Sequence, residues 1–476
     1  METLPIIIYT SILLLLSPPN AAVQELLKGF TATPDSSISS FQPLLTDSIG
    51  NYSLGFLRVD RTQLALAVIH APSQEQLWIA GKSHLPPWSS QTRLSFNGSL
   101  VISVSHRGVF WSTYTSGHRV RLSNTSNLLI EAEGEPPLVV WQSFDFPYNT
   151  LVEDQNFTSA MKLVSSNGLY SMKLGPDFIG FYAKFVSSSD SDPGHLYFQH
   201  NPMETKSHIT KGQGPIRAKL SPDGFLGLYQ NGSAQVDLQP FSSFQQPGTG
   251  NRIIRLEPDG NLIGYYWTGS SWVVDFKQIS NPCDLPSSCG PYGLCRPGNS
   301  CSCLDHRKSY TVGGRCETSG DDFCRKKYRV LRRKGVELAN KEIMAYTIMS
   351  SLEKCERACE EECTCWGAVY SNTSGFCYRI EYPIQTLVEV MDETKAGYFK
   401  VGEGAGEEKM GSGLWVGLGV LGGLVLLISG VGGVVLYRRE SRGVKGYEEE
   451  EGINGVVGPY KNLGSASFKS IELSAR

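Results

Sequence analysis

Cysteine is missing from most of this chain: none of the 12 lies before Cys283 or after Cys377. Everything upstream of Cys283 must therefore hold together through its own apolar core. Histidine is sparse as well, with 8 in all and only His306 inside the cysteine-rich stretch. No C-x2-C pair occurs there, so the tetrahedral ligand sets of small zinc modules are not available at their usual spacing. Hydrolase, zincin and P-loop signatures are absent, since there is no G-x-S-x-G, no H-E-x-x-H and no G-x4-G-K-[ST]. Charge of one sign is lacking too: 43 Lys and Arg stand against 46 Asp and Glu, which gives no reason to expect a nucleic acid or another polyanion as the main partner. Long helical periodicity is missing between Phe41 and Phe276.

What is present favours short strands. There are 50 Gly and 25 Pro but only 8 Met, and aromatic residues make up 10% of the chain, a balance that suits many turns better than long helices. Runs such as Leu64-Ala-Leu-Ala-Val-Ile69, Gln76-Leu-Trp-Ile-Ala80 and Leu138-Val-Val-Trp141 read as strands. A phrase recurs, in which a Pro-Asp turn feeds an apolar strand ending on tyrosine: Pro176-Asp177 to Tyr182, Pro222-Asp223 to Tyr229 and Pro258-Asp259 to Tyr265. Such repetition means one small β unit stacked several times around a shared core. The cysteines fall into two compact groups. Cys283, Cys289, Cys295, Cys301, Cys303 and Cys316 are spaced C-x5-C-x5-C-x5-C-x-C-x12-C, and Cys324, Cys355, Cys359, Cys363, Cys365 and Cys377 follow. Both groups read as small disulfide modules, although six cysteines permit 15 connectivities.

The two ends speak of a membrane. Ile6–Leu16 is an apolar run followed by small residues up to Ala22, the pattern of a secretory signal over residues 1–22. Leu414–Tyr437 carries no charge over 24 residues, long enough to cross a bilayer as a single helix. Arg438, Arg439, Arg442 and Lys445 come next, whereas Glu407 and Glu408 precede it. The positive-inside rule then gives a type I plasma-membrane protein with its N-terminus outside and Arg438–Arg476 in the cytosol. Six N-glycosylation sequons, at Asn51, Asn97, Asn124, Asn156, Asn231 and Asn372, all precede the apolar segment, as this topology requires. Gly417-x-Gly419-x-x-Gly422 spells a dinucleotide fingerprint but sits inside the span without a βαβ unit, so it is set aside. Gly419 and Gly423 have the spacing that lets two membrane helices approach closely.

Three phrases carry a family resemblance. Trp141-Gln-Ser-Phe-Asp-Phe-Pro147 with Asn149-Thr-Leu151 resembles the close of the bulb-type lectin domain of plant S-locus glycoproteins and G-type lectin receptor kinases. Asn281-Pro-Cys-Asp284, Cys289-Gly-Pro-Tyr-Gly-Leu-Cys295 and Cys301-Ser-Cys303 are similar to that family's EGF-like module. Ser351–Cys359 and Glu362-Cys-Thr-Cys-Trp366 are similar to its PAN/apple module. The resemblance implies a mostly β chain. Its parts are a bulb-type lectin domain over 36–160, a second lectin-like (S-locus glycoprotein) domain over 165–280, an EGF-like module over 281–318 and an α+β PAN/apple module over 324–401. A stalk over 402–413 then leads to the transmembrane helix. The two lectin-like domains would be tandem β-prisms. The family pattern further implies Cys283–Cys295, Cys289–Cys301 and Cys303–Cys316 in the first module, and Cys324–Cys363, Cys355–Cys377 and Cys359–Cys365 in the second. No calcium is expected, because Gln278-Ile-Ser-Asn-Pro282 lacks the acidic residues that calcium-binding EGF modules place before their first cysteine. No other metal or cofactor is expected.

The mannose motif of bulb-type lectins, Q-x-D-x-N-x-V-x-Y, is degraded here. Its equivalents in the first domain are Ser95, Asn97, Ser99, Val101 and Ser103, and in the next repeat Ser123, Thr125 and Asn127, all without a carboxylate. Glu257, Asp259, Asn261, Ile263 and Tyr265 keep more of it and form the candidate carbohydrate site, set against the plainer reading of Pro258–Asn261 as a hairpin turn. Ser350 and Glu353 have capping-box spacing, opening a helix that places Cys355 and Cys359 on one face. Arg325–Lys334 is the one strong charge cluster before the apolar segment, read either as a solvated edge strand or as a dock for an acidic wall polysaccharide. The resemblance to lectin, EGF-like and PAN modules implies recognition rather than turnover. The expectation is a kinase-less receptor-like protein with a glycan or protein ligand. A receptor kinase would act as its co-receptor, and dimers would form through ectodomain and span. The alternative is a non-signalling tether between cell wall and membrane.

Overall fold

The computed structural model describes residues 24–402 except 82–83, 186–193, 203–213, 233, 247–250, 299, 308, 311–315 and 317–327. The proposed signal peptide, stalk, apolar segment Leu414–Tyr437 and tail lie outside the described residues. Among the described residues no helix is long and apolar enough to cross a membrane. The chain is mostly β.

Alternation of side chains builds the first two layers. Along Thr92–Phe96 and Leu100–Val104, residues Leu94, Phe96, Leu100, Ile102 and Val104 all point inward, as a strand buried on one face requires. Three four-stranded antiparallel sheets built this way surround one core and make a prism. The first joins Glu25–Leu27, Arg119–Leu122, Leu128–Ala132 and Leu138–Gln142. The second joins Phe30–Ala32, Thr92–Phe96, Leu100–Val104 and Gly108–Ser112, and the third Phe41–Thr46, Tyr52–Val59, Gln63–His70 and Glu75–Ile79. A second prism repeats the plan. Its sheets begin at Thr150–Val152, Asn156–Phe157 and Leu163–Val164, and take their central strands from Arg252–Trp267, Arg217–Tyr229 and Tyr170–Ala183 respectively.

The prisms are not beads on a string. Val152 and Ile253 of the second enter the core of the first, and Tyr265 and Trp272 pack against it. Across the seam Trp272 Nε1 donates to Ser73 Oγ at 2.9 Å, Asn251 Nδ2 to Tyr52 Oη at 2.8 Å and Arg255 Nη2 to the Gln76 carbonyl at 3.2 Å.

The cysteine-rich region is fused rather than modular. The strand Gly293–Arg296 of the EGF-like stretch pairs in parallel with Leu387–Glu389 of the PAN stretch, giving a sheet ordered Ser300–Cys303, Gly293–Arg296, Leu387–Glu389, Val336–Leu338. Tyr292, Leu294 and Leu304 share one core with Val336, Trp366, Ile384 and Phe399. A five-stranded sheet, with Tyr328–Lys334 at its edge, completes the PAN part and carries the one α-helix among the described residues, Leu352–Glu360. Disulfides join Cys283 to Cys295, Cys289 to Cys301, Cys303 to Cys316, Cys355 to Cys377 and Cys359 to Cys365. Cys363 is also disulfide-bonded, and Cys324 lies outside the described residues. Cys355 and Cys359 are fully buried against the sheet.

The helix start differs from the expected box. Ser351, extended at φ −159°, is the N-cap, and Glu353 is the second helical residue rather than the third. A reciprocal capping box needs an acid or amide at the third position, which Lys354 occupies. The Ser351 hydroxyl instead holds the Glu353 carboxyl below its usual range.

Candidate functional site

The candidate sugar residues meet on one hairpin, between Arg252–Leu256 and Leu262–Trp267. Gly260, at φ +89°, turns the chain, and a Cβ there would come within 2.8 Å of Tyr197 Oη. The Tyr197 hydroxyl donates to the Gly260 carbonyl, and Asn167 Nδ2 to the Pro258 carbonyl at 2.7 Å. Glu257 and Tyr265 lie side by side, the Tyr265 hydroxyl donating to Glu257 Oε1 at 2.7 Å. Burial, with that hydrogen bond adding, raises the Tyr265 phenol. Asp259 is exposed and accepts the Asn261 N–H at 2.8 Å. Asn261 is buried, and both ends of its carboxamide are engaged: Nδ2 donates to the Ile279 carbonyl at 2.8 Å and Oδ1 accepts the Ile279 N–H at 3.0 Å.

The first prism repeats this brace. Asn127 is buried at the matching turn, its Nδ2 donating to Gln142 Oε1 at 2.9 Å and its Oδ1 accepting the Phe144 N–H at 3.2 Å. In both prisms the motif's asparagine fastens the hairpin to the segment that follows the outer strand. The other degraded turn closes on itself, Ser99 Oγ lying 2.9 Å from Ser112 Oγ and 3.1 Å from Thr113 Oγ1, while Asn97 is exposed at its tip. Asn124, Asn156, Asn231 and Asn372 are also exposed, and Asn51 is half-buried.

The basic cluster is resolved by strand alternation. Arg329 pairs with Asp305 at 3.1 Å, and Arg332 grips Glu356 through Nε and Nη2. Arg333 is buried, donating to the Cys303 and Leu304 carbonyls and to Glu389 Oε1. Lys334 is exposed, with only a 3.9 Å approach to Glu393. The strand is at a sheet edge, as the first of the two readings expected: Arg333 turns inward, whereas Arg332 pairs at the surface with its side chain 59% exposed and Lys334 stays exposed. Arg325, Lys326 and Lys327 lie outside the described residues.

A cleft that sequence reasoning missed separates the second prism from the PAN part. Its lining of about 340 Å³ includes His195 and Leu196 on one wall and Met344, Tyr346, Arg379, Glu381 and Tyr382 on the other. The His195 ring sits 3.9 Å from that of Tyr382, and Phe185 stacks on Tyr382 at 5.1 Å. Burial pushes the His195 imidazole down to about 4 and the Tyr382 phenol up to about 12. These residues are far apart in sequence and follow no local pattern, so no signal in the chain announced the cleft.

Two prisms of lectin type are followed by a disulfide-braced PAN unit. The comparisons agree. A D-mannose binding lectin model matches residues 76–173, and an S-locus glycoprotein domain model matches residues 231–308. A PAN domain-containing protein of Arabidopsis thaliana is 50% identical over 95% of this chain and 93% of its own length. Two G-type lectin S-receptor-like serine/threonine-protein kinases of Arabidopsis thaliana are 24% and 28% identical, over 72% and 58% of this chain. The chain spans less than half the length of each of these kinases, 45% and 36%. A solved Marasmius oreades lectin matches 28% of this chain and 96% of its own at 14% identity and TM-score 0.21. The chain belongs to the family of PAN domain-containing proteins that share lectin and S-locus glycoprotein domains with the G-type lectin receptor kinases.

Proposed function

We propose that this chain is a kinase-less, single-pass receptor-like protein of the plasma membrane. Its ectodomain binds an extracellular glycan or protein ligand, and a partner receptor kinase supplies the signal. The observation that supports it most is the fused ectodomain, in which two lectin prisms and a PAN unit share cores and hydrogen bonds across each seam. Such a body presents fixed surfaces to a ligand and holds no catalytic constellation of the kinds sought in the sequence. Sugar recognition is assigned to the Glu257–Tyr265 hairpin, where the exposed Asp259 carboxylate and Glu257 would accept sugar hydroxyls beside the Tyr265 ring. Asn261 braces the hairpin from within. The six sequons are proposed to carry N-glycans.

The experiment is a glycan array probed with the full-length protein and with Asp259→Ala, combined with co-purification of receptor kinases from plant membranes. Glycan signals that vanish in the variant support the hairpin. An unchanged profile removes it, and absence of any kinase favours a wall-to-membrane tether. A tail-less form ending before Arg438, with Tyr447, Tyr460, Ser465, Ser467 and Ser470 removed, is expected to reach the surface, bind ligand and signal weakly. Full signalling from that form would refute the part given to the tail.

A further inference from the structure

The seam between the two prisms holds a buried imidazole. His70, 1% exposed at the end of Gln63–His70, is boxed by rings from both sides of the seam. Its ring centroid lies 5.8 Å from that of Tyr52 in its own prism. Trp267 and Trp272, paired across a hairpin of the second prism, meet it edge-on at 4.9 Å and 5.3 Å.

The donors around the ring fix which form it takes. His70 Nδ1 lies 2.8 Å from Ser73 Oγ. That oxygen already accepts two N–H groups, from Trp272 Nε1 at 2.9 Å and from the Glu75 amide at 3.3 Å. A hydroxyl has two lone pairs and one proton. With both pairs engaged, Ser73 has only its proton to give, so Nδ1 is the acceptor and the imidazole is neutral. A protonated ring donates from both nitrogens. It would set N–H against O–H unless Ser73 turned and released Trp272 or Glu75. The bond from Trp272 to Ser73 crosses the seam, so the relay through Ser73 makes that crossing depend on the uncharged state of His70.

The surroundings give a charged ring little help. Burial holds the His70 imidazole below its ordinary 6.5, and the Glu75 carboxylate opposes that shift. Glu75 is itself paired with Arg255 of the second prism at 2.9 Å. Tyr52 is pushed by burial up to about 12, with Glu153 and Asp47 adding, and its hydroxyl accepts from Asn251 Nδ2. Asp47 accepts the Tyr52 N–H at 2.8 Å. Glu153 of the second prism accepts the Arg252 N–H at 2.8 Å, and burial raises its carboxyl. A carboxyl raised in the fold binds its proton more tightly there, so acid acting on Glu153 favours the closed seam. Opening in acid is left to His70.

We propose that His70 is a pH-sensitive latch between the two prisms: neutral, it closes the seam through Ser73 and Trp272, and protonated, it releases Trp272 and lets the seam open. The direction follows from linkage. An imidazole depressed in the closed form and ordinary in the open one contributes stability that is complete above pH 6.5 and is lost as the pH falls below it. Tyr265, two residues before Trp267 on the same strand, also packs against the first prism. Opening therefore reaches the strand that carries the candidate sugar hairpin.

The test follows amide hydrogen exchange of the full-length protein in detergent at about pH 7 and pH 5, corrected for the intrinsic pH dependence of exchange. Peptides covering residues 63–79 and 262–277 report the two sides of the seam, and residues 92–104, in another sheet of the first prism, are the control. The opening equilibrium at the seam is expected to rise by up to about 25-fold at the lower pH, the limit for a ring that takes its proton only in the open form at an ordinary 6.5. The control peptide is expected not to respond. His70→Asn, whose Oδ1 accepts from Ser73 but takes no proton, is expected to abolish the response, and His195→Asn, facing the PAN part, to leave it. Trp272→Phe frees a lone pair on Ser73 for a protonated His70, so it is expected to raise exchange at neutral pH and to shrink the ratio between the two pH values. No response in the wild type, an equal rise in residues 92–104, or a response that survives His70→Asn or is removed by His195→Asn would overturn the latch. A ratio unchanged by Trp272→Phe would overturn it as well, and decides alone should His70→Asn not fold.

Discussion

Replacing Arg333 by methionine is expected to loosen the fused EGF-like and PAN unit, whereas the same change at its neighbour Arg332 is not. The side chain of Arg333 is 5% exposed, and its guanidinium reaches the Cys303 carbonyl at 3.1 Å, the Leu304 carbonyl at 2.9 Å and Glu389 Oε1 at 2.8 Å. Removing one partner of a buried pair costs about 3–5 kcal/mol. Here the lower end applies, because Glu389 keeps Arg296 at 2.9 Å and so is not left alone. The two carbonyls lose donors, at about 1 kcal/mol each as ordinary hydrogen bonds, and the methionine stem restores part of the packing. The net loss is about 3 kcal/mol, close to a hundredfold in an opening equilibrium. Hydrogen exchange of the full-length protein, read in peptides covering Gly293–Cys303 and Val336–Leu338, should therefore accelerate about a hundredfold. Arg332, with its side chain 59% exposed against Glu356, is a surface pair worth about 1 kcal/mol or less, and Arg332→Met should change exchange by fivefold at most. Exchange unchanged by Arg333→Met, or equal acceleration by both variants, would refute the reasoning that pleat position decides the role of each arginine.

Reduction with dithiothreitol followed by limited proteolysis should cut between Cys283 and Cys377 first and spare Phe41–Phe276, since every disulfide lies in the former; equal loss of both would contradict this. Gly260→Ala is expected to destabilise the second prism by about 2 kcal/mol, because a side chain at positive φ is strained and its Cβ would meet Tyr197; a melting curve unchanged by the substitution would exclude the wedged turn. Stability should also fall with acid. His195 is held neutral in the fold down to about 4 but takes up a proton near its ordinary 6.5 when unfolded, so its contribution is intact above pH 6.5 and is lost progressively between there and about 4. His195→Asn should flatten that part of the pH–melting profile, and an unchanged slope would assign the acid sensitivity to other groups.

The turn at the candidate hairpin was legible because it is local. The Pro258–Asn261 hairpin follows from four adjacent residues, where turn chemistry suffices; the exposure of Asp259 and the hydrogen bond from Tyr265 to Glu257 appear only in the structure. The fate of Asn261 was not legible, since its partner Ile279 lies beyond the next strand and nothing in the local pattern marks it. The partners of the basic strand were not legible for the same reason: Asp305, Glu356 and Glu389, which pair with Arg329, Arg332 and Arg333, come from three other segments.

The sequence by itself determined the β character, the repeating strand units and the confinement of cysteine to one region, because alternation, turn residues and cysteine spacing act over a few positions. Tertiary structure decided what those units became. Burial of Val152 and Ile253 in the neighbouring core welded the prisms. The parallel pairing of Gly293–Arg296 with Leu387–Glu389 erased the boundary between the two cysteine groups. Packing of the second prism against the PAN part created the cleft around His195. Each depends on residues brought together from distant parts of the chain, where the free energy of excluding water from shared apolar surface, not any local preference, selects the partner.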